Sequence, residues 1–330
     1  MVRTVKFSVA LPQNDYQAAR GRAEMADSLG YYAVSLADHF YSGASVVANT
    51  PATPYYECYT TLSAIAAATK KVRLLPLVTS MSYRNPALLA KMMATLDNIS
   101  GGRLIAGVGA GWFKDEYAAY NYPYPSNSER LDQLQDGIRL LKAMFTQEEP
   151  TYHGRFFSVE KAHNNPKPLQ KPYPPILVGG GGKKLLKIAA EEADIINVIP
   201  PVYHGAVDLN EALKFDKGVM AARIAMIKEY VKAAGRAPDA VELSGMSFVV
   251  TAKEKSQADT MVKMVAQTMG VGDVEAARRS PMVLAGTVDE VKREVRDRIE
   301  KFGITFFALN FPVPDMVELF AKEIMPEFVK

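Results

Sequence analysis

Residues 72–112, VRLLPLVTSMSYRNPALLAKMMATLDNISGGRLIAGVGAGW, leave the chain few folds to choose from. The first piece, 72–78, is an apolar run of the kind found in strands buried on both faces of a parallel sheet. Asn85 then supplies a capping side chain and Pro86 a residue suited to the first helical position. Leu88, Met92, Leu96 and Ile99 recur at helical spacing, with Leu89 and Met93 widening the stripe, so this face is expected to lie on the core. Gly101-Gly102 stops the helix, because glycine turns left-handed without strain. A second buried run, 104–108, breaks off into Gly109-Ala110-Gly111. The unit is strand, helix, strand, and both strands end in residues unusual for plain structure.

The same alternation runs through the chain. Strands are expected at 5–11, 32–37, 176–178, 194–199, 241–250 and 304–309. Helices are expected at 15–29, 60–69, 129–145, 184–192, 221–234, 255–269, 288–302 and 315–328. Residues 41–57 read as a long irregular loop, 151–159 as a hairpin, and the proline-rich 165–175 as extended chain. About eight strands alternating with helices demand parallel pairing with right-handed crossovers. The fold class expected is α/β, a (βα)8 TIM-type barrel with loop insertions at its C-terminal face, formed by 1–330 as one domain. A doubly wound sheet is the alternative.

Composition narrows the function classes. The 330 residues carry a net charge of +3, too mild to argue for nucleic acid. Cys58 is the one cysteine, so no intrachain disulfide can form and a reducing compartment is expected. No apolar run approaches the ~20 residues of a membrane span, and the opening residues lack a signal-peptide pattern. A cytoplasmic protein acting on a small molecule is expected, with no nucleic acid or membrane partner.

Four places just past strand ends could carry chemistry. His39, after strand 32–37, would sit in the barrel mouth and could give or take a proton; a loop histidine bonded to a backbone carbonyl is the other reading. Pro76-Leu77 interrupts a buried strand, implying a bulge or a kink. Gly107-Val108-Gly109-Ala110-Gly111-Trp112 fails as a dinucleotide fingerprint, having Trp112 at the sixth position and lying outside the first strand–helix unit. Its glycines mean that backbone comes close to something flat or to a neighbouring loop. Gly179 to Gly182, followed by two lysines, puts unhindered N–H groups at a helix start, which suits a phosphate. No metal-ligand spacing and no GxSxG elbow is found, and Cys58 reads as a small buried residue.

The run YRNPALLAKMMATLDNISGGRLIAGVGAGW, with SLADHF before it and NPKPLQKPYPPILVGGGG after it, resembles the bacterial luciferase-like superfamily, and within it the branch using the deazaflavin coenzyme F420. The resemblance covers Phe7 to about Asn197 and thins beyond. It implies a TIM-type barrel, a cofactor across the C-terminal mouth, and a homodimer. It also implies that His39 is the active-site histidine beside the redox ring, with Asp38 its neighbour there. Pro76-Leu77 falls where that branch has a bulge with a non-prolyl cis peptide behind the ring. Thr79 matches a hydroxyl that bonds the cofactor, Ala110 and Gly111 a backbone wall against its chain, and Gly180, Gly181 and Gly182 the phosphate-binding glycines. Trp112 stands where the glucose-6-phosphate branch has an acidic residue, which leaves His39 as the assigned proton handler. The function implied is hydride transfer between F420 and a small organic substrate. An FMN-dependent monooxygenase of the same superfamily and a non-catalytic flavin-binding barrel stay open.

Overall fold

The computed structural model describes residues 4–41, 53–202, 205, 212, 214–268 and 271–329. Expectations for residues 42–52 and for most of 203–213 lie outside them. Eight parallel staves close a barrel: β1 (Lys6–Ala10), β2 (Ala33–Leu36), β3 (Arg73–Pro76) continued by β4 (Thr79–Ser80), β5 (Ala106–Gly109), β8 (Ile176–Gly180), β9 (Ile195–Val198), β10 (Glu242–Ala252) and β12 (Ile304–Asn310). β3 pairs with β2 and β4 with β5, while a parallel bridge between Leu74 and Leu104 closes the ring. The short β6 (Tyr152–His153) and β7 (Ser158–Val159) form the expected antiparallel hairpin outside it.

Around the barrel run α1 (Tyr16–Leu29), α2 (Cys58–Ala68), α3 (Pro86–Ser100), α4 (Lys114–Ala119), α5 (Asn127–Thr146), α6 (Lys183–Glu192), α7 (Lys217–Ala233), α8 (Lys255–Thr268), α9 (Val274–Arg279), α10 (Val288–Phe302) and α11 (Asp315–Glu323). The parallel sheet with helices on its outside is the barrel expected, not the doubly wound sheet. Strand residues alternate inward and outward. Ala33, Leu75, Ile105, Leu177, Ile195 and Phe306 form a small inner core, and a much larger cluster joins the outer strand faces to the helices.

The terminal signals work as anticipated. Asn85 accepts hydrogen bonds from the amides of Ala87 (2.9 Å) and Leu88 (3.4 Å), and Gly101 ends α3 at φ +70°. The apolar face of α3 differs from expectation. Leu89, Met93 and Leu96 are buried, whereas Leu88 and Ile99 are 56% and 51% exposed. The core side is centred on Leu89 and Met93, one residue round the helix from the stripe that begins at Leu88. Among the elements not anticipated are α4, α9 and β11 (Val283–Thr287). β11 pairs in parallel with the last five residues of β10, outside the closed ring.

The third stave breaks after Pro76, which is still in register with Leu36. The non-prolyl cis peptide is Leu77–Val78, not the Pro76–Leu77 bond expected. Pro76 stays in the ladder and the Leu77 N–H still donates to the Leu36 carbonyl (2.8 Å), so the chain departs only at the following bond. The bulge explains the glycine run of β5. A Cβ at 107 would lie 1.9 Å from the Pro76 carbonyl oxygen, and one at 109 would lie 2.7 Å from Val78 Cγ2. These glycines make room for the neighbouring stave, the second of the two meanings their spacing allowed.

Candidate active site

The C-terminal mouth of the barrel is built from the exits of β2, β4, β5 and β8. Gln13 fixes the first of these. Its Nε2 donates to the Ala37 carbonyl (2.8 Å) and its Oε1 accepts the Ala37 N–H (3.0 Å), as a paired strand would. Two residues later, His39 Nδ1 lies 2.7 Å from Glu116 Oε2. The imidazole is 22% exposed and Glu116 is completely buried. The carboxylate also accepts from Tyr83 Oη (2.5 Å) and from the backbone N–H of Phe40. Burial alone would push Glu116 up. The hydrogen bonds and charge of His39, with those of Tyr83 and Phe40, outweigh it and hold the carboxyl below its ordinary value. Trp112 and Phe113 set ring edges against His39 at 5.3 and 5.9 Å, and stack on each other at 5.0 Å.

Short α4 delivers Glu116, and its next residue anchors it from the other side. The Tyr117 hydroxyl bonds Ser80 Oγ (2.7 Å) and Ser82 Oγ (2.5 Å) on the β4 exit. Gly111, at φ +75°, passes beneath: a Cβ there would lie 1.9 Å from the Tyr117 oxygen. Arg130 Nε donates to the Gly111 carbonyl (3.3 Å). Ala110 and Gly111 therefore form a fixed backbone wall.

Asp38 and Thr79 lie deeper. Arg84 forks onto Asp38 at 2.5 and 3.0 Å and reaches Glu57 at 2.7 Å, while Thr79 Oγ1 bonds the Tyr59 hydroxyl at 2.8 Å. Asp38 and Thr79 are both buried. Burial pushes the Asp38 carboxyl up against the pull of Arg84. The pair ties the β2 exit to the β4 exit below His39.

On the opposite side of the mouth, Gly180, Gly181 and Gly182 lead from β8 into α6, whose N-terminus has no side-chain cap. A Cβ at 181 would lie 2.0 Å from the Ile199 carbonyl oxygen, but around Gly182 there is nothing within 4 Å. Open space beside uncapped amides, with exposed Lys183 in the first turn, would suit an anion, whereas Lys184 is tied to Asp132 (2.5 Å) and to Ser128.

The structure thus brings His39, the bulge at Pro76-Leu77, the Ala110-Gly111 wall and the glycine loop to one end of the barrel. Sequence reasoning missed Glu116, Tyr83 and Gln13. The acidic pair Asp115-Glu116 was visible, but it stood in a stretch read as neither helix nor strand, with nothing local to pair it with His39. Among the described residues, no group of three or more His, Cys, Asp or Glu side chains is placed to hold a metal ion. Nor is any helix of those residues long and apolar enough to cross a membrane.

Comparison with known proteins follows the same lines. A segment of 139 residues is 35% identical to an FMNH(2)-dependent dimethylsulfone monooxygenase of Pseudomonas putida, covering 42% of this chain and 38% of that protein. Another, of 173 residues, is 31% identical to an F420-dependent glucose-6-phosphate dehydrogenase of Kineococcus radiotolerans, covering 52% of this chain and 49% of that one. The matches thus span half or less of these relatives' own lengths. The coenzyme F420 dependent tetrahydromethanopterin reductase from Methanopyrus kandleri superposes with a TM-score of 0.77 at 21% identity, over 99% of this chain and 100% of that one, and so shares the fold. The sequence profile of the luciferase-like monooxygenases matches residues 4–301, nearly the whole barrel, and the chain belongs to that family.

Proposed function

We propose that this chain is an oxidoreductase that transfers a hydride between coenzyme F420 and a small organic substrate, with His39 exchanging the accompanying proton. The observation that carries the reading is the His39–Glu116 pair: a partly exposed imidazole at the barrel mouth, held at 2.7 Å by a buried carboxylate. Hydride transfer to or from a carbonyl must be matched by a proton at oxygen, and histidine is the side chain suited to that near neutral pH.

The residues present fit the cofactor. Gly180, Gly181 and Gly182 with the uncapped start of α6 would hold its phosphate, Ala110 and Gly111 would border its chain, and Pro76 and Leu77 would back its ring. Asp38 and Thr79 would stand beside the ring from below, joined to Arg84 and Tyr59. The deazaflavin, when bound, supplies a two-electron hydride donor or acceptor. The chain's own part is to orient the substrate against the Trp112–Phe113 face and to take or give a proton at His39.

An FMN-dependent monooxygenase is the second reading, favoured by the 35% identity to the dimethylsulfone monooxygenase. Titration of the purified protein with F420 and with FMN separates the two. Binding of F420 at concentrations where FMN does not bind is expected, and tighter binding of FMN would transfer the assignment to the second reading.

The protein is further proposed to work as a homodimer, in a reducing cytoplasmic setting consistent with its single, buried cysteine. Leu88 and Ile99 stand exposed along α3, and exposed Leu169 lies on the segment whose Lys167 carbonyl is held by Asn98 of that helix. Sedimentation velocity on Leu88→Asp with Ile99→Asp should show a monomer with an unchanged circular dichroism spectrum. A wild-type monomer would remove the proposal.

A further inference from the structure

We infer that Glu116 is the positioning residue of the proton site, holding His39 in the tautomer whose Nδ1 carries hydrogen and whose Nε2 offers a bare lone pair. This rests on the reading of His39 as the proton handler. Three groups converge on the Glu116 carboxylate: His39 Nδ1 and the Tyr83 hydroxyl at Oε2, and the Phe40 N–H at Oε1. The backbone N–H can only donate, and an ionised carboxylate can only accept. The carboxylate is completely buried, where a charge persists only if hydrogen bonds surround it. With the carboxylate ionised, the nitrogen 2.7 Å away must be the donor, so Nδ1 carries the hydrogen.

The consequence concerns the other nitrogen. Among the described residues Nε2 has no partner, and it is the atom free to meet a substrate oxygen. When Nε2 takes the proton of a substrate hydroxyl, the O–H bond breaks and a second N–H forms. The positive charge that appears on the ring is met by a carboxylate already in place. In the reverse direction the same N–H returns its proton to a substrate oxygen. Glu116 touches no substrate; it acts only through His39. Tyr83 and the Phe40 N–H act on Glu116 in turn, fixing the carboxylate plane.

Replacing Glu116 by glutamine makes the inference testable, because an amide offers one acceptor atom and one donor atom. Its oxygen must face the Phe40 N–H, which cannot turn round. Its NH2 group then faces His39 and forces a bare Nδ1, moving the hydrogen to Nε2. The experiment is 15N NMR on full-length protein labelled at histidine, without cofactor or substrate. It is run near pH 9, above the ordinary histidine value of ~6.5, with the His39 signals identified by their loss in His39→Asn. Wild type should show the Nδ1–H tautomer and Glu116→Gln the Nε2–H tautomer. An Nε2–H tautomer in wild type would overturn the inference, as would an unchanged tautomer in a folded Glu116→Gln protein. If the glutamine variant does not fold, the wild-type spectrum alone still decides.

A kinetic arm separates positioning from mere support. With a substrate in hand, Glu116→Gln should lower turnover at saturation by ~10²-fold, the low end for a misplaced acid–base group, with KM and cofactor affinity close to wild type. Equal losses in affinity and turnover would make Glu116 a structural residue and overturn the inference. The tautomer measurement needs no cofactor, so failure of F420 binding and failure of this inference are distinguishable.

Discussion

The two sides of the barrel mouth are built on opposite principles. At the β2 and β4 exits, side chains dominate: short hydrogen bonds join His39, Glu116 and Tyr83 in one group and Tyr117, Ser80 and Ser82 in another. At the β8 exit the useful feature is missing side chains, with open space at Gly182 and uncapped amides at the start of α6. Under the proposed function, the difference divides the labour. Moving a proton needs one atom fixed to a fraction of an ångström, which calls for packed and bonded neighbours. Holding a phosphate needs several backbone donors and room, which glycine supplies.

The largest expected effect is on the first side. His39→Ala should lower turnover by ~10²–10⁴, the range for a positioned acid–base group, and leave cofactor affinity nearly unchanged. Steady-state rates and a binding titration on the same preparation would check it. On the second side, Gly182→Val fills the open space beside the amides. Hydrogen bonds to charged groups contribute about 1.5–3 kcal/mol each, so losing one or two should weaken cofactor binding by roughly 10- to 100-fold or more. The barrel should remain folded, because nothing lies within 4 Å of the new Cβ. Gly181 is the wrong position for that test. Its Cβ would strike the Ile199 backbone, so loss of fold and loss of binding would be confused.

A smaller, purely structural effect should appear between the two sides. Gly109→Ala pushes a methyl to 2.7 Å from Val78 Cγ2, a side-chain contact, and overpacking of this kind costs about 1–3 kcal/mol. Urea denaturation should show a lower midpoint with an unchanged slope. The smallest effect is in pH. Glu116 has its carboxyl depressed in the folded state, so its contribution is present above the unfolded carboxylate value of ~4.3. It is lost as pH falls through the lower folded value. The stability gap between wild type and Glu116→Gln should therefore narrow as pH falls below about 5. A gap that failed to narrow below about pH 5 would contradict the ionised, triply bonded carboxylate.

Local chemistry was legible in the sequence where it dominated. Buried strands announced themselves as apolar runs, and Asn85, Pro86 and Gly101 marked both ends of α3. The glycine loop at β8 was visible as four glycines ahead of two lysines. Where the determinant was a distant contact, the sequence was silent. Glu116 meets His39 across 77 positions, and nothing in DEY marks it as different from an ordinary surface acid. The inward face of α3 depended on which of two adjacent stripes the barrel covers, and the outer one, Leu88 and Ile99, carries equally apolar residues. β11 is five residues with Gly286 near its end, too short and too mixed to stand out from its surroundings. The cis peptide fell one bond later than expected, because Pro76 keeps its place in the ladder.

The division of labour is tested most directly by a crossed measurement on His39→Ala, Gly182→Val and the double variant. Cofactor affinity and single-turnover rate at saturating cofactor are measured on each, with the first substrate found to react. The account predicts that His39→Ala moves only the rate, Gly182→Val only the affinity, and that the double variant shows the sum of both losses. If His39→Ala instead weakened cofactor binding while the rate at saturation stayed near wild type, His39 would be scaffolding for the cofactor, and its assignment as the proton handler would be wrong.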